Sequence, residues 1–230
     1  MIDTILWDVD GTLLNFVEAE KAAIQTCFRV FGLGVCTDEM AARYSRLNVL
    51  YWERLERGEM TKAQILTGRF VEFFRREGVD CSRIEEFNAD YQLRLGDTIC
   101  FNDDSLAVVK SLCGRVRQYA VTNGTITAQT KKLERSGLGA VFDGVFISDH
   151  VGAEKPSPLF FQKVFDAIAP VDRRRTMIVG DSLTSDILGG AAAGIVTCWY
   201  NPSGKKNDMG VRVDREIRDL HEVEAMLLTT

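Results

Sequence analysis

Thr4-Ile5-Leu6-Trp7-Asp8-Val9-Asp10-Gly11-Thr12 decides how this chain folds. A short apolar run stops abruptly at two carboxylates spaced by one residue, followed by a glycine and a hydroxyl. In a strand, alternate side chains share a face, so Asp8 and Asp10 can point the same way. Where the strand ends and the chain turns, they can converge on one cation and one reacting group. Two carboxylates placed together are costly unless a metal or a proton holds them. Taken alone, the stretch also fits a strand followed by an acidic turn, because Asp and Gly are ordinary turn residues. A calcium loop is excluded. Counted from Asp8, its glycine position holds Leu13 and its closing glutamate position holds Ala19.

Three further polar groups follow in order along the chain. Tyr119-Ala120-Val121 leads into Thr122-Asn123-Gly124, Lys155 stands in Glu154-Lys155-Pro156, and Met177-Ile178-Val179 leads into Gly180-Asp181-Ser182-Leu183-Thr184-Ser185-Asp186. In an open α/β sheet, ligands bind beyond the carboxyl ends of the strands. Parallel strands would therefore bring a hydroxyl, a lysine and four carboxylates to one edge. Each residue has a plainer reading by itself. Thr122 could cap a helix, Lys155 could be an exposed loop lysine, and Asp186 could be a helix-start carboxylate favoured by the dipole. It is the joint order that argues for a site.

From about Glu18 to Leu95 the chain reads as helices. Phe16, Ala19, Ala23, Cys27, Val30 and Phe31 follow helical spacing, and Met40, Tyr44, Leu47, Tyr51 and Leu55 form a second stripe. Thr61 with Gln64 predicts a capping box for a third helix with an apolar face of Leu66, Phe70, Phe73 and Phe74, ended by Gly78. Ser82 with Glu85 predicts a cap for a fourth, carrying Ile84, Phe87, Tyr91 and Leu95. After Asp103, helices and strands alternate. Helices are expected near Leu106–Cys113, Thr127–Ser136, after Ser157-Pro158, and over Thr184–Ala193. Strands are expected at Val116–Val121, Gly144–Ser148, Thr176–Val179 and Ile195–Tyr200. Such alternation predicts an α/β fold with a parallel sheet and helices on both faces. Residues 1–14 and 97–230 would form it, and residues 15–96 a helical insertion. Gly137-Leu138-Gly139 follows a helix and lacks the strand context of a dinucleotide loop. Gly189, Gly190 and Gly194 fit close helix packing.

A chain of 230 residues can bury a sizeable core. Its 33 acidic against 28 basic residues, net −5, argue against a nucleic-acid partner, whose phosphates demand a basic surface. Arg173-Arg174-Arg175 and Lys205-Lys206 read as solvated turns. Cys27, Cys36, Cys81, Cys100, Cys113 and Cys198 form no Cys-x-x-Cys pair and read as free thiols among apolar neighbours. The first strand begins almost at Met1, so no secretory segment is expected, and no apolar run has membrane-span length. A cytoplasmic location and no membrane partner are the expectation. His150 and His221 are too few for a histidine-rich zinc site.

The ordered set resembles the haloacid dehalogenase superfamily of phosphotransferases. Asp8-Val9-Asp10-Gly11-Thr12 is similar to its first motif, Thr122 with Asn123 to its second, Lys155 to its third, and Gly180-Asp181 with Asp186 to its fourth. The resemblance runs from Thr4 to about Pro202 and implies a Rossmann-like core with an inserted α-helical cap. It also implies a Mg²⁺ cofactor on Asp8, Asp181 and the backbone carbonyl of Asp10, with Asp186 binding directly or through a water. Asp8 would be the nucleophile and Asp10 the acid and base. Thr122 and the amides of Asn123 and Gly124 would hold phosphate, and Lys155 would neutralise its charge. Dehalogenases of the superfamily usually lack an Asp at the position of Asp10, so phosphate transfer is implied. A phosphonate hydrolase would need a cap lysine such as Lys21 or Lys62 for a Schiff base.

Within the superfamily, Thr12-Leu13-Leu14-Asn15-Phe16 with Ala19-Glu20-Lys21, and Gly180–Ile187 continuing to Thr197–Pro202, resemble the pyrimidine 5′-nucleotidase group. That resemblance implies small phosphate monoesters as substrates, with UMP, dUMP and dTMP foremost. Asn15 departs from the Asp expected there and adjoins the cap hinge. Phe16, Tyr51, Trp52 and Phe70 could stack on a base or fill the bundle core, and Glu56-Arg57-Gly58-Glu59 could approach the site or be a plain turn. Two other readings stay open. One is a phosphatase or phosphomutase for sugar phosphates, and the other is a non-catalytic phosphate-binding protein. A monomer or homodimer is expected.

Overall fold

The computed structural model describes residues 1–80 and 82–228. It divides into two compact units, Phe16–Cys100 and Met1–Asn15 together with the chain from Phe101 onward. Strand β1 (Thr4–Trp7) opens the second of these and is buried along its whole length. That is why the sequence shows a continuous apolar run there: a strand covered on both faces has no solvent side to alternate with.

Phe16–Cys100 holds four helices among the described residues: α1 (Phe16–Val30), α2 (Asp38–Glu56), α3 (Lys62–Glu77) and α4 (Ile84–Arg94). Their apolar stripes meet in an aromatic core of Phe28, Tyr44, Phe70, Phe73, Phe74, Phe87 and Tyr91. Tyr44 and Phe70 stack with ring centres 5.2 Å apart. The capping box of Thr61 and Gln64 is formed, and Gly78 closes α3 in the left-handed conformation. The other expected box is absent. The Ser82 hydroxyl turns back to Asp80, and α4 starts after Arg83 with no side-chain cap. On α3 the buried position falls to Ile65, with Leu66 half-buried, and on α1 Val30 is exposed. Two of the aromatics weighed for base stacking serve the core. Phe70 is fully buried, and Tyr51 is buried with its hydroxyl donating to Glu72 at 2.7 Å. Phe16 and Trp52 are half-buried. Lys21 is held by Asp38 at 2.7 Å. The Asp38 hydrogen bond holds that ammonium above its ordinary pKa, the reverse of what an amine nucleophile needs.

The other unit continues after β1 with α5 (Ser105–Ser111), β2 (Arg117–Thr122), α6 (Ile126–Ser136), β3 (Gly144–Ile147), α7 (Ser148–Val151), α8 (Pro158–Ile168), β4 (Thr176–Gly180), α9 (Leu188–Ala193), β5 (Val196–Tyr200), β6 (Arg215–Ile217) and α10 (His221–Leu228). The six strands pair in the order β3-β2-β1-β4-β5-β6. Every neighbouring pair is parallel. The chain steps outward from β1 to β3, then returns to the far side of β1 as β4. Strand order therefore reverses between β1 and β4, and the crevice beyond their carboxyl ends is where such folds bind ligands. Phe160, Phe161, Val164 and Phe165 of α8 pack on Leu6, Val121 and Ile178 of the sheet.

The helix expected from Thr184 is continuous from Leu183, capped by Ser182, and opens with a wide π-helical turn at Leu183–Ile187 that runs directly into α9. Gly189 and Gly190 permit close packing as expected. A Cβ on Gly190 would lie 2.5 Å from Ile178, and one on Gly189 2.5 Å from Phe161. Strand β6 and helix α10 carry no sequence signal strong enough to predict them. β6 is a three-residue edge with one buried side chain, so it shows no apolar run. The described cysteines are all free, with Cys113 exposed; Cys81 lies outside the described residues. No helix among the described residues is long and apolar enough to cross a membrane.

Candidate active site

Asp8 follows β1 directly, its N–H donating to Val179 of β4 at 2.9 Å. The chain then turns sharply, with the amides of Leu13 and Leu14 both returning to the Val9 carbonyl at 3.0 and 2.9 Å. Gly11 makes this turn at φ +93°, where an added Cβ would sit 2.7 Å from Asp181 Oδ2. Backbone conformation and the approach of a carboxylate both require glycine there. Two polar side chains from the start of α5 fix the loop from behind. Asn102 Nδ2 donates to the carbonyls of Gly11 (3.2 Å) and Thr12 (2.9 Å), and Ser105 Oγ donates to that of Leu13 at 2.6 Å. Thr12 Oγ1 donates to Asp8 Oδ2 at 3.0 Å.

Lys155 is no exposed loop lysine. Its side chain is 1% exposed, and Nζ donates to Asp8 Oδ1 (2.7 Å), Asp186 Oδ1 (2.7 Å) and the Val121 carbonyl (2.8 Å). All three ammonium protons are thereby used. Asn123 holds the lysine's backbone from both sides. It accepts from Lys155 N–H and donates to Lys155 C=O, each at 2.8 Å. The Asn123 side chain is thus a brace for Lys155, a role its motif position alone does not reveal. Thr125, not Thr122, caps α6. The Thr122 hydroxyl stands at the carboxyl end of β2 and accepts from Gly124 N–H at 3.2 Å.

Asp181 and Asp186 come from the β4 end. Oxygens of Asp8, Asp181 and Asp186 lie within 4.8 Å of one another. Asp186 Oδ2 accepts from Ser182 N–H at 3.2 Å, and Trp199 Nε1 donates to the Asp181 carbonyl at 3.0 Å. Gly180 makes room for this: a Cβ there would stand 2.3 Å from Asp186. Burial pushes the Asp8 carboxyl up to about 7, against the pull of Lys155 and with help from Asp186 and Asp10. Burial, then Asp8 and Asp186, raise Asp181 well above the carboxylate range. Burial lowers the Lys155 ammonium, but Asp186 and Asp8 outweigh it and hold its pKa above the usual value. One lysine does not neutralise three carboxylates. A hard divalent cation fits this donor set, because oxygen ligands suit it and its charge supplies the missing compensation.

The Asp10 carboxylate belongs to a different set of contacts. Lys132 Nζ reaches its Oδ1 at 2.6 Å, and Gln129 Nε2 reaches its Oδ2 at 2.6 Å. Both come from α6 and both are buried. Sequence reasoning missed them. The available signal was a Gln and a Lys one turn apart on the same face as Ala128, Leu133 and Ser136, in the helix that Thr125 caps just after Thr122-Asn123-Gly124.

The raised carboxyls set a pH dependence. Between its ordinary value of 3.8 and about 7, Asp8 keeps its proton in the folded chain and loses it in the unfolded one. The folded state then binds more protons, so this contribution to stability falls as pH rises through that window. After the protein is stripped with chelator and the chelator removed, Mg²⁺ addition is expected to raise the melting temperature more at pH 7 than at pH 5. An equal rise at both would show that the carboxylate cluster is not where the ion acts.

Comparison with known proteins places this geometry in a family. The model of haloacid dehalogenase-like hydrolases matches residues 2–194. The pyrimidine 5′-nucleotidase PynA of Streptococcus pneumoniae is 36% identical over 88% of this chain and 85% of its own. The pyrimidine 5′-nucleotidase YjjG of Escherichia coli is 29% identical over 98% and 97%. The crystal structure of the HAD-hydrolase YfnB of Bacillus subtilis bound to magnesium superposes with a TM-score of 0.91 at 33% identity, covering 99% of both chains. The chain described here belongs to the haloacid dehalogenase-like hydrolase family.

Proposed function

We propose that this protein is a Mg²⁺-dependent phosphatase that hydrolyses pyrimidine nucleoside 5′-monophosphates through a phosphorylated Asp8. The observation that carries the reading is the Asp8 carboxylate, held between Lys155 and Thr12, with Asp10 fixed two residues further on. A nucleophile and a proton-transfer group at that spacing are what a two-step phosphate transfer needs. PynA and YjjG, matched over most of the chain, support the pyrimidine nucleotide.

In the first step an Asp8 oxygen bonds to phosphorus and the ester P–O bond breaks. Asp10 gives its proton to the leaving oxygen. In the second, Asp10 takes a proton from a water that attacks the same phosphorus, and Asp8 is released. Lys155 balances the charge on Asp8 and on the phosphoryl oxygens. The Thr122 hydroxyl and the Asn123 amide would donate to those oxygens, joined by the Gly124 amide once it turns from the Thr122 hydroxyl to the phosphate. Asp8 and Asp181, with the Asp10 carbonyl, would hold Mg²⁺. Asp186, whose oxygens already accept from Lys155 and Ser182, would join through a water. When bound, the ion neutralises phosphate charge and fixes its geometry. The unit Phe16–Cys100 would be the cap that excludes water during the reaction.

The test is phosphate release with Mg²⁺ from a panel of nucleoside monophosphates and sugar phosphates. Preference for UMP, dUMP or dTMP is expected. Preference for a sugar phosphate would overturn the substrate and keep the mechanism. No release from any member would overturn both.

A further inference from the structure

Among the described residues, the Asp10 carboxylate lies outside the Asp8, Asp181 and Asp186 cluster and is not one of the hydrogen-bond acceptors of Lys155. Both of its oxygens are taken by α6, through Lys132 and Gln129 at 2.6 Å each. We propose that Lys132 and Gln129 are positioning residues that fix the direction of the Asp10 carboxyl for proton transfer, an inference that rests on the phosphatase reading above.

Three observations support it. First, the contacts are bidentate, one donor to each oxygen. Two donors from one rigid helix fix the carboxyl plane, where a single ion pair would leave it free to rotate. Second, α6 begins directly after Thr122-Asn123-Gly124, and Gly124 lies against Gln129. A Cβ on Gly124 would come within 2.2 Å of Gln129 Nε2. The segment assigned to phosphate and the hold on Asp10 are thus parts of one stretch of chain, so phosphate and proton donor keep a common frame. Third, the amide oxygen of Gln129 is buried without a hydrogen-bond partner. Facing an ionised Asp10, which can only accept, the amide turns its Nε2 to the carboxylate, and this leaves Oε1 unsatisfied. An orphaned buried acceptor costs stability. A network built only to hold the fold would satisfy that oxygen or replace the glutamine with an apolar residue. Here the amide orientation follows the needs of Asp10 at the expense of packing.

Proton transfer needs a group within hydrogen-bond reach and correctly aimed, and a displacement of about 1 Å can cost roughly 10²-fold. The effect should fall on chemistry and spare binding. It should also depend on the leaving group. A nucleoside leaves as a poor alkoxide and needs the Asp10 proton, whereas p-nitrophenolate leaves without one.

The experiment measures Lys132→Met, Lys132→Arg and Gln129→Leu on UMP and on p-nitrophenyl phosphate with Mg²⁺, with melting temperatures alongside. For Lys132→Met and Gln129→Leu we expect kcat on UMP to fall about 10- to 100-fold with KM nearly unchanged. The rapid first turnover of p-nitrophenol release should survive. Lys132→Arg should recover most of the lost rate, and Gln129→Leu should melt no lower than the parent. Three results would overturn the proposal: unchanged kcat on UMP, equal losses in UMP hydrolysis and in the first p-nitrophenol turnover, or losses that track a lowered melting temperature. Should the parent protein itself release no phosphate from any panel member, the phosphatase reading falls and takes this proposal with it. Parent activity with unaffected variants would sink this proposal alone.

Discussion

Asp8→Asn is expected to abolish turnover, by at least about 10⁴-fold in kcat, while leaving the protein folded. The asparagine fills the same space and its oxygen can still accept from Lys155. What it lacks is the anionic oxygen proposed above to form the bond to phosphorus. The variant also removes one of three carboxylates in a site where burial first, and the neighbouring carboxylates after it, raise both Asp8 and Asp181. Its metal-free melting temperature should therefore equal or exceed that of the parent. Mg²⁺ should stabilise it less, because one ligand has lost its charge. Parent and variant are compared by phosphate release on UMP and by thermal unfolding with and without Mg²⁺. Retained turnover would show that Asp8 is not the nucleophile. A collapsed fold would show that the carboxylate serves structure.

Lys155→Met should have the second large effect, and it should damage both rate and stability. Among the described residues the ammonium is the one cation that bridges Asp8 and Asp186, and its third proton holds the Val121 carbonyl at the end of β2. Removing one partner of a buried ion pair costs about 3–5 kcal/mol, because the remaining charges are left without compensation. Loss of a charge-stabilising group at a reacting phosphate should cost about 10³-fold in kcat. The two variants thus move stability in opposite directions, since one removes a surplus negative charge and the other a scarce positive one. Melting temperatures in chelator measure that contrast directly. Mg²⁺ should recover part of the stability of Lys155→Met and little of its rate. If Lys155→Met melts like the parent in chelator, the lysine is not compensating the cluster.

Much of this architecture is legible in the amino-acid sequence. The apolar run Thr4–Trp7 and the glycines and capping residues around α3, α6 and α8 carry local signals that need no distant contact to read. The helical insertion between two parts of an α/β unit follows from the change of period after Asp103. The candidate residues Asp8, Asp10 and Asp181 stand out because each closely follows an apolar strand, whereas Lys155 comes after a short helix and is marked only by its place in the ordered set. Local signals fail where stability comes from elsewhere. The Ser82–Glu85 box is plausible in sequence, yet Ser82 prefers Asp80. β6 is held by pairing with β5 and shows almost no pattern of its own.

The order of residues alone marks out the candidate side chains and the strand ends at which Asp8, Thr122 and Asp181 stand. It does so because strand burial, turn geometry and capping act within a few residues. What each of those side chains touches is settled by tertiary packing. Asn123 becomes the brace of Lys155, Asp186 the second anchor of its ammonium, and Gln129 with Lys132 the hold on Asp10. Those pairings span 31 to 122 residues of chain. They exist because parallel pairing sets the carboxyl ends of β1, β2 and β4 side by side. No local propensity encodes such proximity; it follows from the order in which the strands assemble.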